Sequence, residues 1–74
     1  MAKRVLAEAT VAGETLTLVR YQDPGDEAAS YATEPRRGGQ PSATSRRYRT
    51  FEQAQRLFLR WVREKTDAAE RWSL

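Results

Sequence analysis

Phe51, Ala54, Leu57, Phe58, Trp61 and Val62 recur at intervals of three and four, with no glycine or proline between them. That spacing predicts a single amphipathic helix whose apolar residues form one stripe. Thr50 stands just before it with Gln53 three residues on, a capping-box arrangement that fixes where the helix starts. The helix is expected from about residue 51 to 66, and Ala68, Ala69 and Trp72 extend the pattern to 72. A stripe of this kind must bury itself against another element. In a chain of 74 residues only one thin core is possible, so the partner must come from the residues that precede the helix.

Those residues read as strands. Val5, Ala7, Ala9 and Val11 alternate with Leu6, Glu8 and Thr10, the period of a half-buried strand. Gly13 marks a turn, and Glu14 to Tyr21 (ETLTLVRY) alternates again, which together predict an antiparallel hairpin. DPGDE at 23 to 27 is a turn signal, AASYAT at 28 to 33 a weak third strand, and Ser45 to Arg49 a short fourth strand at an edge. Residues 34 to 45 offer little to bury and are expected to form a flexible basic loop. The expected fold class is α+β, one domain over 1 to 74: a small antiparallel sheet of three to four strands packed by one C-terminal amphipathic helix.

With no histidine and no cysteine, imidazole and thiolate catalysis, disulfides and cysteine-based zinc sites are excluded. Glu8 and Glu14 are the only carboxylates the first hairpin could bring together, and on an exposed hairpin two carboxylates are ordinarily solvated charge. A non-enzyme without catalytic residues, metal or cofactor is therefore expected. The N-terminus has no continuous apolar region of signal-peptide type, and no run is long enough to span a membrane. The expectation is a soluble, cytoplasmic protein with no membrane partner.

Charge is sorted along the chain. Residues 1 to 35 carry three basic side chains against six acids, whereas residues 36 to 63 carry eight arginines against Glu52 alone. A basic centre between acidic flanks points to an acidic partner, nucleic acid above all. Arg36, Arg37, Arg46, Arg47 and Arg49 precede the helix, and Arg56, Arg60 and Arg63 form a ridge on it at i, i+4 and i+7. If the last strand lies beside the first helical turns, Arg46, Arg47, Arg49 and the ridge share one side. Arginine suits phosphate because its planar fork donates in pairs and is weakly hydrated. Two bland readings stand alongside: compositional bias toward arginine, and solvated i, i+4 pairing of Glu52 with Arg56, Arg60 with Glu64 and Asp67 with Arg71. Tyr21, Tyr31 and Tyr48 are either strand packing or stacking surfaces, Trp61 is expected in the core, and Trp72 is a candidate exposed contact.

Gly38-Gly39-Gln40, Tyr48, Thr50, Ala54 and Glu64-Lys65 resemble the C-terminal half of the WGR domain over residues 34 to 66, with Glu34-Pro35-Arg36 about where the Trp-Gly-Arg strand would stand. The resemblance implies a small sheet crossed by a helix and contact with DNA ends, with Arg36, Gly39 and Gln40 as contact positions. YRTFEQAQRLF is similar to the ending of the sheet-based arm-binding domains of phage-type integrases. The expected function is nucleic-acid binding, to duplex DNA, through Arg36, Arg37, Gly39, Gln40, Arg46, Arg47, Arg49, Arg56, Arg60 and Arg63. The alternative is a small inhibitor or accessory factor of phage or mobile-element type that docks a basic face on an acidic protein surface. An acidic patch of Asp23, Asp26, Glu27 and Glu34 opposite the basic one would permit head-to-tail self-association, and the expected state is a monomer or weak dimer.

Overall fold

The computed structural model describes residues 2 to 25 and 27 to 72, the last without its side chain, so Asp26 and the contact expected of Trp72 lie outside the described residues. Five strands and one helix follow in order: β1 (Ala2–Val11), β2 (Glu14–Gln22), β3 (Ser30–Arg37), β4 (Gln40–Pro41), β5 (Arg47–Tyr48) and α1 (Phe51–Trp72). All pairings are antiparallel, in the order β1-β2-β3-β4, and β5 also pairs with β3. The fold is the expected α+β sheet and helix, with five strands rather than three or four.

The hairpin of β1 and β2 turns through Ala12 and Gly13, both at positive φ (52° and 80°), and closes on the pair Val11↔Glu14. A two-residue turn with both central residues left-handed matches the twist of the flanking strands. β3 runs to Arg37, four residues beyond the end expected for the third strand. Gly38 and Gly39, at φ of 61° and 82°, then make a second turn of the same kind into β4. So the segment expected to be a loop holds the end of β3, a tight turn and β4, and only residues 42 to 46 join β4 to β5 without strand structure. β4 and β5 share the outer border of β3, one at Arg36–Arg37 and the other at Tyr31–Ala32. Thr33 to Pro35 lie between the two ladders, and Ser42 N–H donates to the Pro35 carbonyl at 3.0 Å.

Alternation divides the sheet into two faces. Leu16 and Leu18 of β2 are buried with Ala54 and Phe58 of α1, and Ala7, Ala9, Tyr31, Tyr48, Phe51, Trp61 and Val62 pack around them. The Tyr31 and Phe51 rings meet edge to face at 5.9 Å. The helix starts where the cap requires, with Gln53 N–H donating to Thr50 Oγ1 at 3.3 Å. Trp61 thus packs as expected, and Tyr31 and Tyr48 serve the core. Val19 and Ala32, paired with each other and fully buried, belong to the opposite face.

Candidate functional site

The ten candidate positions are all on the surface, but on different sides of the molecule. Arg36 and Arg37 end β3, and alternation sends them to opposite faces. Arg36 Nη1 donates to the Gly39 carbonyl at 3.1 Å, across the second turn, while Arg37 reaches the helix side and pairs with Glu14 at 3.2 Å. Gly39 lies in that turn and Gln40 opposite Arg37. Arg47 pairs in register with Ala32 and therefore stands on the face away from α1, its guanidinium 4.3 Å from the centre of the Tyr21 ring. Arg49 lines a cleft with Tyr21, Asp23, Ala29, Ser30 and Arg47. Arg56, Arg60 and Arg63 form the predicted ridge on the exposed side of α1, opposite Ala54 and Phe58.

The expectation that Arg46, Arg47 and Arg49 share one side with the helix ridge is therefore corrected for Arg47. β5 is adjacent to α1, but its alternation turns Tyr48 toward the helix and Arg47 away from it. Nor can Glu8 and Glu14 approach one another: Glu8 pairs with Thr17 on the open face and Glu14 faces the helix.

Two carboxylates that sequence reasoning treated as surface charge organise the structure. Glu14 is nearly buried beneath α1, where it accepts from Arg37 Nη2 at 3.2 Å, from Ser42 Oγ at 3.1 Å, and pairs with Lys65 Nζ at 3.4 Å. Burial is the largest single influence on this carboxyl and pushes its pKa up. The donors from Arg37, Ser42 and Lys65 together outweigh it and hold the group below its ordinary 4.5. Glu34 is its counterpart on the open face. It accepts from the Tyr21 hydroxyl, and Lys3 Nζ lies 3.0 Å from its Oε1, off hydrogen-bonding geometry. Burial again pushes up, and Tyr21 with Lys3 brings the net shift down. The same contacts raise Lys3, chiefly through Glu34, and raise Tyr21, through burial first and Glu34 second. Lys3, Tyr21, Glu34 and Arg47 thus roof the buried Val19–Ala32 pair with polar groups from β1, β2, β3 and β5. Tyr21 differs in this from Tyr31 and Tyr48, and the parity of its position in β2 is the signal that separates them.

Of the helical pairs expected, Glu52 with Arg56, Arg60 with Glu64 and Asp67 with Arg71, only the second forms among the described residues, at 3.1 Å. Among the described residues no carboxylate lies within ion-pair distance of Arg46, Arg49, Arg56 or Arg63. A groove of about 300 Å³ runs between α1 and the uncovered part of β3, floored by Leu16, Tyr48, Leu57 and Trp61 and edged by Arg60 and Glu64. No group of three or more metal-ligating side chains occurs among the described residues, and none of their helices is long and apolar enough to cross a membrane. The chain matches no protein-family model, no curated protein and no solved structure.

Proposed function

We propose that this chain is a non-enzymatic nucleic-acid-binding domain that grips duplex DNA by its phosphates. The observation that carries the reading is the set of four guanidiniums, Arg46, Arg49, Arg56 and Arg63, left without a carboxylate partner among the described residues. Exposed arginines that merely solubilise a surface commonly find i, i+4 acids, as Arg60 does in Glu64. Arg46 and Arg49 flank β5, Arg49 lining the open-face cleft, while Arg56 and Arg63 stand on the exposed side of α1, so phosphates would be met from two sides of the β5–α1 corner rather than by one flat patch. Arg36 and Arg47 add to the field, whereas Arg37 is committed to Glu14. The resemblance of residues 34 to 66 to the WGR domain supports the same reading.

Fluorescence anisotropy of labelled duplex and single-stranded oligonucleotides, titrated at several salt concentrations, tests it. With four phosphates engaged, log K against log salt on duplex should fall with a slope of about −3.6. Changing Arg46, Arg49, Arg56 and Arg63 together to Gln should remove most of that slope, while Arg60→Gln should leave most of it. Absence of saturable binding even at low salt would refute the proposal.

One observation favours a different partner. Leu59 is 57% exposed and lies on the helix surface between Arg56 and Arg63. An apolar anchor ringed by guanidiniums suits an acidic protein surface, the behaviour of a small inhibitor or accessory factor. That reading requires a stoichiometric protein partner to survive nuclease treatment and to be lost in Leu59→Ser.

A further inference from the structure

β1 is a border of the sheet: β2 pairs along one side of it, and no described strand lies on the other. A bare border of ten residues offers a row of backbone donors and acceptors to another strand. Among the described residues three large apolar side chains are exposed, and two of them, Val5 at 54% and Leu6 at 39%, lie in the middle of this border. The register of β1 steps from Val5↔Val19 to Ala7↔Leu18, leaving Leu6 as an extra, bulged residue. The bulge resets the alternation. Lys3 and Glu8 are five positions apart, yet they pair with Tyr21 and Thr17, which are four apart in β2, so both stand on the open face.

We propose that β1 pairs antiparallel with β1 of a second copy of this chain about a two-fold axis, extending the sheet across both. In the register that matches faces, Lys3 lies opposite Glu8 of the second copy and Glu8 opposite its Lys3. Val5 and Leu6 meet Leu6 and Val5 of that copy at the axis. The occupant is a second copy because the strand is basic at its start and acidic toward its end, so antiparallel self-pairing sets opposite charges across from one another twice. A bulge and a lysine on a border discourage indiscriminate pairing. Here they leave one self-register in which the charges match. Lys3 Nζ leans over Tyr21 toward Glu34, so meeting Glu8 of the second copy exchanges one carboxylate for another. The interface is independent of nucleic-acid binding and stands or falls without it.

Sedimentation velocity of the full chain, from micromolar to millimolar concentration at low salt, reads the association directly. The expected result is a concentration-dependent dimer that Glu8→Lys weakens roughly tenfold, because two attractive cross-strand pairs become repulsive. Lys3→Glu should weaken it likewise. An equimolar mixture of the two variants should recover association, since the mixed dimer restores both attractive pairs. Glu8 is exposed and makes no ion pair among the described residues, so Glu8→Lys carries the test even if Lys3→Glu, which also faces Glu34, fails to fold; Leu6→Lys at the axis should abolish association. A monomer at every concentration, or a dimer indifferent to Glu8→Lys, would overturn the proposal.

Discussion

Ala12 sits at φ 52°, in the left-handed region, beside Gly13 at 80°. An L-residue with a Cβ pays roughly 1–2 kcal/mol there, and asparagine relieves part of this by bonding its own backbone. Ala12→Asn is therefore expected to raise the unfolding free energy by about 0.5–1 kcal/mol in urea denaturation. A loss of stability would show that the turn is not under strain. Glu14, two residues on, shows what could be read at this scale and was not. Counting by twos along ETLTL places Glu14 on the same face as Leu16 and Leu18, the face the helix must cover. Its buried role was legible in the parity of β2. Its partners Arg37 and Lys65 were not, since they approach from 23 and 51 residues away through pairings that only the folded register defines.

Among the elements, the helix and the first hairpin carried the strongest periodic signals, and both formed where the pattern put them. Ala54 decides how closely the helix approaches the sheet, because it is fully buried against Leu16, Leu18 and Phe58. Ala54→Leu should force the two layers apart and destabilise the fold by about 1–3 kcal/mol, read as a lowered melting temperature by circular dichroism. An unchanged melting temperature would mean that the interface is loosely packed at its centre. β4 escaped notice because Arg-Arg and Gln-Pro on either side of Gly38-Gly39 have no apolar alternation, although Gly-Gly is itself a hairpin signal. The exposed arginines were legible from composition and spacing. Their division between the two sides of the sheet was not, because it follows from how β5 registers against β3.

Over the whole molecule, two carboxylates tie the layers together: Glu14 joins β2, β3, the residue after β4 and α1, while Glu34 joins β1, β2 and β3. Both have pKa values lowered from 4.5 in the fold. Their contribution to stability is thus complete above that ordinary value and is lost as pH falls through it toward and past the folded values. Denaturant midpoints measured from about pH 3 to about pH 7 should be level at the upper end and drop on the acid side. A Glu14→Gln, Glu34→Gln variant should begin lower and show a flatter acid limb; an acid limb as steep as the parent's would place the titration elsewhere. The divided outer border of β3 has a practical consequence. Residues 42 to 46 are exposed and span two separate ladders, each with its own register, so added chain there would not shift a strand against its neighbour. Lengthening such a span costs only slowly growing closure entropy, which makes it the natural point at which to splice in a reporter or a foreign peptide.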